Sequence, residues 1–174
     1  MDNDAREDVQ AVCHAIRMEN VGYGFYEKLA DTTADPNAKK LFTRLRDEEV
    51  QHLGRVRQEL ERIVGPAEAV GVEEQAMAEP AAESWWVFPE EGDPAVDERT
   101  REIKAVEVAL QAEQRAREFY QEWTQKAADP EGREMYEWLT EMEDEHVKLL
   151  QWELDGLTGS GHWFDIAEFD MEGC

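Results

Sequence analysis

The sequence has few cysteines, few basic residues and no long apolar run, and each shortage excludes a class of protein. Its two cysteines, Cys13 and Cys174, form no C-x-x-C pair, so the chain holds neither a zinc ribbon nor a four-cysteine iron site of the rubredoxin type. Lys and Arg number 18 against 42 Asp and Glu, and the formal charge of −24 argues against nucleic acid and anionic membranes as partners. That charge favours cations, although an acidic surface also serves solubility.

No stretch of 18 apolar residues occurs, and the acidic N-terminus lacks the apolar segment of a secretory signal. We therefore expect a cytoplasmic protein that has no membrane partner. At 174 residues the chain is long enough to form one domain with a sizeable core.

A Glu-x-x-His motif occurs twice, as Glu49-x-x-His52 and as Glu143-x-x-His146. Residues three apart lie on one face of a helix, so the carboxylate and the imidazole of each motif can reach the same metal ion. A single motif would be weak evidence, because Glu makes up 29 of the 174 residues.

An internal repeat with an offset of 94 residues gives the two motifs their weight. The same offset relates Glu19 to Glu113, Tyr26 to Tyr120, and the Asp35-Pro36 pair to Asp129-Pro130. This pattern predicts a duplicated helical hairpin in which each half supplies one isolated Glu and one Glu-x-x-His. Together the halves offer four carboxylates and two imidazoles, which is the ligand set of ferritin-like di-iron and di-manganese bundles.

Apolar residues recur at helical spacing in four segments, and each segment carries an acid or an imidazole on its apolar face. Glu19 and Glu113 both fall on that face, where an unpaired carboxylate would be strongly destabilising. The pairs Asp35-Pro36, Asp93-Pro94 and Asp129-Pro130 predict helix starts, and Gly65-Pro66 and Gly156 predict helix ends.

Residues 65–93 break the helical pattern and predict the long crossover that joins two hairpins into one bundle. Within it, Trp85 and Trp86 either fasten the crossover to the bundle or form a patch for a partner. We thus expect one all-α domain over residues 1–157, built from hairpins 1–64 and 94–157. We expect the aromatic and acidic tail at 158–174 to pack on a helix or on a second subunit.

These residues resemble the ferritin-like superfamily and, within it, the rubrerythrin and bacterioferritin branch. The resemblance covers the four helices, and it implies a four-helix bundle that binds two iron ions per chain. Six residues match the ligands of that family: Glu19, Glu49, His52, Glu113, Glu143 and His146. Tyr26 and Tyr120 resemble the tyrosines that support catalysis in these proteins by donating a hydrogen bond to a ligand carboxylate.

The resemblance also implies which residues share a metal ion. Glu49 and Glu143 would bridge the two ions, while one ion would be completed by Glu19 with His52 and the other by Glu113 with His146. Two imidazoles favour iron over magnesium or calcium, and manganese or a mixed manganese–iron pair also suits these ligands. A buried network without metal is disfavoured, because four buried carboxylates would repel one another.

The chain departs from its apparent relatives at three points. Rubrerythrin has a further ligand Glu where this chain has Ala116, so the redox-linked shift of an iron ion toward that Glu is not expected. Bacterioferritin has a haem-binding Met where this chain has Val50, so no haem is expected. Without a rubredoxin domain, electrons must come from a separate donor protein.

The sequence therefore predicts a non-haem di-iron oxidoreductase that reduces hydrogen peroxide with electrons from an external donor. One alternative is a ferroxidase or iron-handling protein that oxidises incoming Fe(II) with O₂, which an acidic surface would suit. Another is a metal-carrying interaction module, in which the crossover and the tail bind a partner. The near-equivalence of the two hairpins also predicts a homodimer or a higher oligomer, with hairpins either closed within a chain or swapped between chains.

Overall fold

Five α-helices make up the part of the chain that the structure, a computed structural model, describes, which is residues 3–78 and 97–159. They are α1 (Asn3–Thr32), α2 (Pro36–Val64), α3 (Pro66–Ala78), α4 (Glu98–Lys126) and α5 (Pro130–Thr158). The predicted all-α class is confirmed. Within these residues, no helix combines the length and the apolar character that a membrane span needs.

Two of the predicted helix starts are confirmed by the hydrogen bonds of their capping residues. Asp35 accepts from the backbone N–H groups of Asn37 and Ala38 at the start of α2, and Asp129 accepts from Gly132 N–H at the start of α5. In both cases a proline follows the cap, and its fixed φ suits the first helical position. The predicted end of α2 also holds, because Gly65 follows Val64 with a φ of 87°.

One predicted boundary was wrong. The third bundle helix does not begin at Asp93-Pro94: α4 begins at Glu98, because the side chain of Asp97 accepts from both the backbone N–H and the hydroxyl of Thr100. The predicted crossover at 65–93 contains a helix that the sequence did not predict, since α3 occupies its first half and packs on α1 and α2. Helix α5 ends near Gly156 as predicted: its last residue is Thr158, and Gly159 adopts a left-handed φ of 67°. Trp85, Trp86 and the tail beyond Gly159 lie outside the described residues.

The helices pair as two antiparallel hairpins, α1 with α2 and α4 with α5, and the hairpins close on each other. Two apolar clusters fill the bundle. One contains Ile16 and Leu139 near one end, and the other contains Phe42 and Val106 near the opposite end. Between the two clusters, each of the four long helices contributes buried polar side chains, so the polar centre lies midway along the bundle.

Candidate metal centre

All six predicted ligands lie together in the middle of the bundle of a single chain. Helix α1 supplies Glu19, α4 supplies Glu113, and each of α2 and α5 supplies both residues of its Glu-x-x-His motif. Their side chains are almost completely shielded from solvent, at 1–2 % exposure. Four potential ligand atoms from Glu49, His52, Glu143 and His146 lie within 4.8 Å of one another. The closed arrangement of hairpins therefore assembles the whole cluster without a second subunit.

The imidazole of His52 faces three carboxylates through one nitrogen. Its Nδ1 lies 3.2 Å from Glu19 Oε2, 3.4 Å from Glu143 Oε1 and 3.5 Å from Glu49 Oε2. Glu19 is thus the carboxylate nearest to His52, as the predicted pairing requires.

His146 has the equivalent surroundings on the other side. Its Nδ1 lies 3.2 Å from Glu143 Oε2, 3.5 Å from Glu113 Oε1 and 3.7 Å from Glu49 Oε1. Glu49 and Glu143 therefore each direct one oxygen toward His146 and the other toward His52. A carboxylate placed between two imidazoles in this way is positioned to bridge two ions, whereas Glu19 and Glu113 each serve one side.

Two buried tyrosines orient the outer carboxylates across the hairpin boundary. The hydroxyl of Tyr26 on α1 donates to Glu113 Oε1 on α4, and the hydroxyl of Tyr120 on α4 donates to Glu19 Oε1 on α1. Each hairpin thereby fixes the carboxylate that the other contributes. These contacts are the ones that the resemblance implied for the two tyrosines.

The outer nitrogens of the two imidazoles differ, and the repeat did not predict this. His146 Nε2 lies 3.1 Å from Glu48 Oε2, and Glu48 in turn accepts from Arg44 Nε at 2.9 Å. His52 Nε2 is buried and has no hydrogen-bond partner among the described residues, and the ring of Trp138 meets His52 edge-on at 5.3 Å. The signal was present in the sequence, because Arg44 and Glu48 align at the 94-residue offset with Trp138 and Met142.

Burial and mutual repulsion act strongly on the carboxyl groups of the metal-free cluster. Burial, together with the charge of Glu143, raises the pKa of Glu113 to about 8. Burial and the charge of Glu19 also raise the pKa of Glu49 well above its ordinary value.

The pKa values of Glu143 and of the two imidazoles shift because acid and imidazole are paired. Burial works to raise the pKa of Glu143, but hydrogen bonds and charges from His146 and His52 outweigh it and hold that pKa well below its ordinary value. Burial would lower the pKa of each imidazole, yet the surrounding carboxylates, Glu19 for His52 and Glu113 for His146, raise both above the ordinary value.

The residues present fit a pair of divalent cations. Glu143 Oε2 and His146 Nδ1 are buried and face each other across 3.2 Å at the centre of the cluster, and neither makes a well-aligned hydrogen bond to any described residue. Such atoms are costly to leave unsatisfied, and coordination by a cation would satisfy both. Four carboxylates can neutralise two divalent ions, and the outer hydrogen bond on His146 fixes its orientation as a ligand.

A small cavity adjoins the carboxylates on the side of α1 and α4. Its volume is about 10 Å³, enough for about one water molecule, and its walls away from the carboxylates are formed by Met18, Gly22, Ala112 and Ala116. Gly22 on α1 could in principle mark either close packing or a local bend of the helix. The structure shows close packing, because a Cβ at Gly22 would lie 3.2 Å from Glu49 Cδ.

The fold and the buried acid and imidazole cluster define a ferritin-like four-helix bundle with a possible di-metal site. The rubrerythrin family model matches residues 10–154, and the chain belongs to that family. Among solved structures, the chain is similar to a hypothetical protein from Pyrococcus furiosus, with 21% identity and a TM-score of 0.62. The match covers 90% of this chain and 93% of that one, which supports the fold. A search of curated proteins found no match.

Proposed function

We propose that the protein is a non-haem di-iron oxidoreductase of the rubrerythrin type that reduces hydrogen peroxide with electrons from a separate donor protein. The observation that carries this proposal is that Glu49 and Glu143 each direct one oxygen toward each imidazole. Membership of the rubrerythrin family supports iron as the metal. A bound pair of irons would supply the two electrons that cleave the O–O bond of peroxide.

The chain's own residues would hold and shield such a pair. Glu19 with His52 and Glu113 with His146 each hold one side, and Tyr26 and Tyr120 keep the two outer carboxylates in place by donating to them. The cavity beside them has room for about one water-sized molecule. Its apolar wall excludes bulk water and larger organic substrates from the carboxylates.

Metal analysis followed by separate challenges with the two oxidants would test the proposal. We expect two irons per chain after anaerobic loading with Fe(II), then rapid oxidation by peroxide and slow oxidation by O₂. Glu143→Gln should lose both ions, whereas Glu153→Gln, a partly buried acid on the same helix outside the cluster, should retain them. Slow oxidation by peroxide in a fully loaded protein would refute peroxide reduction.

The net charge of −24 favours a second candidate, a ferroxidase that draws Fe(II) to the centre and oxidises it with O₂. The same experiment separates the two functions. Repeated turnover with O₂ and excess Fe(II), faster than with peroxide, would support the ferroxidase.

A further inference from the structure

The outer edges of the two imidazoles face the same side of the bundle, which lies between α2 and α5. His146 Nε2 lies 3.1 Å from Glu48 Oε2, and the Glu48 side chain is 26% exposed. His52 meets the partly exposed ring of Trp138 at 5.3 Å. The cavity beside the carboxylates lies on the opposite side, between α1 and α4. On the α2–α5 side, one partly exposed side chain therefore connects each imidazole to the protein surface.

Apolar side chains form a row along the edge of α5 that faces α2. Trp138 marks this edge, because it contacts His52 on α2. Met142, Leu149 and Trp152 follow Trp138 at intervals of 4, 7 and 3 residues, which keeps them on one edge of the helix. The first three side chains are partly buried, whereas Trp152 is 71% exposed. Tryptophan is enriched among the side chains that carry the binding energy of protein interfaces, so this edge suits a protein partner.

Basic side chains form a second row along the edge of α2 that faces α5. Glu48 marks this edge, because it contacts His146 on α5. Lys40 and Arg44 lie 8 and 4 residues before Glu48, Arg55 lies 7 residues after it, and all three are exposed. Arg44 is ion-paired with Glu48, whereas neither Lys40 nor Arg55 is ion-paired with another described residue. Two uncompensated cations therefore lie beside the apolar row.

The surroundings of the two rows make this face locally basic. Asp47 and Glu145, exposed or partly exposed acids beside the rows, are ion-paired with Arg46 and Lys148. The whole chain, in contrast, has a formal charge of −24. An acidic partner is attracted to this face and repelled by the rest of the surface, which orients the partner as it approaches. The charges therefore favour an acidic protein as the occupant of this face.

We propose that the α2–α5 face, formed by these two rows, is the docking surface for an acidic electron-donor protein. The acidic groups of the donor pair with Lys40 and Arg55, and its apolar surface covers Trp152. Its electrons enter on the imidazole side of the centre, where Glu48 and Trp138 reach the protein surface. This inference rests on the proposed function, because it names where the separate donor protein binds.

A second copy of this chain fits the face less well. In a twofold dimer each copy offers the same patch, so Lys40 and Arg55 of the two copies would approach one another without acidic partners. Another pair of exposed apolar side chains, Val70 and Met77, lies on α3, which packs on α1 and α2. The α2–α5 face is therefore better suited to a different protein.

Donor and oxidant approach the centre from opposite sides in this arrangement. Two donor molecules each lose one electron, and the two electrons reduce two Fe(III) to two Fe(II). Peroxide takes up two electrons from the irons and two protons from solvent, its O–O bond breaks and two water molecules form. Because the donor covers the imidazole side, it leaves the cavity beside the carboxylates open.

Reduction by an acidic rubredoxin tests the basic row. Stopped-flow absorbance measures how fast this probe reduces the iron-loaded protein after oxidation with ferricyanide. At low ionic strength we expect Lys40→Glu with Arg55→Glu to slow the reaction about tenfold, equivalent to about 1.4 kcal/mol in the barrier. The difference should shrink at high salt, because screening weakens interactions between exposed charges. Lys104→Glu with Lys126→Glu makes the same change in net charge at exposed positions on α4 and should alter the rate far less.

Trp152→Ala tests the apolar row. Because this indole is exposed, its removal should leave folding and iron content unchanged, while the Kd for the rubredoxin should rise about tenfold in isothermal titration calorimetry. Val70→Ala shortens an exposed apolar side chain on α3 and should keep the wild-type Kd. Hexaammineruthenium(II), a small donor that needs no docking surface, should reduce wild type and Trp152→Ala at the same rate.

The outcomes distinguish the docking surface from the function on which it rests. Wild-type rates and Kd in the substituted proteins, or a wild type that does not bind the rubredoxin, would overturn the docking surface and leave peroxide reduction intact. Light scattering that finds a dimer in wild type and a monomer in Trp152→Ala would also overturn it, because a second copy would then cover the face. If peroxide fails to oxidise the loaded irons, the proposed function falls. The docking surface is still decided by the rates and the Kd, since neither measurement uses peroxide.

Discussion

At the residue scale, the two halves of the repeat supply the same ligands but surround them differently. The inner face of the centre is nearly symmetric, since each imidazole meets one outer and two shared carboxylates through Nδ1. Its outer face is not, because Glu48 contacts His146 while Trp138 contacts His52. The two metal sites can therefore differ in their affinity for an ion.

Removing a shared carboxylate should affect both ions, and removing an outer one should affect mainly its own side. We expect Glu49→Ala to abolish binding of both irons, and His52→Ala to weaken one site more than the other. Anaerobic Fe(II) titration followed by Mössbauer spectroscopy would measure the occupancy of each site. Equal and small losses in the two variants would contradict the bridging role of Glu49.

Gly22 and Gly24 form a matched pair that tests the close approach of α1 to the centre. A methyl group at Gly22 meets Glu49 Cδ at 3.2 Å, whereas one at Gly24 meets nothing within 4 Å. Gly24→Ala should raise the free energy of unfolding by about 1 kcal/mol, since Ala is favoured in a helix interior. Gly22→Ala should weaken iron binding by displacing Glu49. Urea unfolding and iron titration of both variants measure the two effects, and equal iron affinity would refute the close contact.

At the scale of helices, the sequence predicted the four long helices and the six clustered residues. Both predictions rest on patterns that extend over many residues, namely the apolar spacing and the repeat. Boundaries depend on single hydrogen bonds and were harder to predict. Asp93-Pro94 has the same form as the two true caps, yet Asp97 caps α4 because it reaches Thr100. Helix α3 was missed because its Ala and Glu residues show no clear apolar stripe. The repeat did not predict the neighbours of the imidazoles, because they lie at positions where its two halves differ.

Two substitutions at Asp129 separate the contribution of a helix cap to stability from that of an ion pair between the hairpins. Its side chain caps α5 and is also ion-paired with Arg62 on α2. Asp129→Asn keeps the cap and loses only the ion pair. We therefore expect the free energy of unfolding to fall by about 0–1 kcal/mol, as for other exposed ion pairs. Asp129→Ala loses both and should cost about 1–2 kcal/mol. Chemical denaturation of the two variants gives the values, and equal losses would show that the cap contributes nothing.

At the scale of the whole molecule, we still predict a homodimer or higher oligomer, although one chain encloses the centre. Helix α3 presents two apolar side chains to solvent on one face, Val70 at 61% and Met77 at 44% exposure, and a second copy could cover them. Light scattering should show at least a dimer, and Val70→Glu with Met77→Glu should shift it toward monomer. Gln75→Glu, on another face of α3, is the control. A wild-type monomer at micromolar concentration would refute the prediction.

The charge of the buried cluster also makes the stability of the metal-free protein depend on pH. Glu113 has an ordinary pKa of 4.5 and a folded pKa of about 8. The folded state therefore holds this proton more tightly than the unfolded state, so its contribution to stability is full below pH 4.5 and is lost as the pH rises through 8. Glu49 acts in the same direction, because its pKa is raised as well.

Glu113→Gln replaces that carboxyl with a permanently neutral group of the same shape and should remove its share of the pH dependence. With chelator present, wild-type melting temperature should fall between pH 5 and pH 8.5, and that of Glu113→Gln should fall less. Bound metal stabilises the ionised carboxylates, so the melting temperature of the metal-loaded wild type should not decrease over this pH range. Glu153→Gln, outside the cluster, should follow wild type. Identical pH profiles for metal-free wild type and Glu113→Gln would show that the tyrosine and histidine contacts already satisfy the ionised carboxylate.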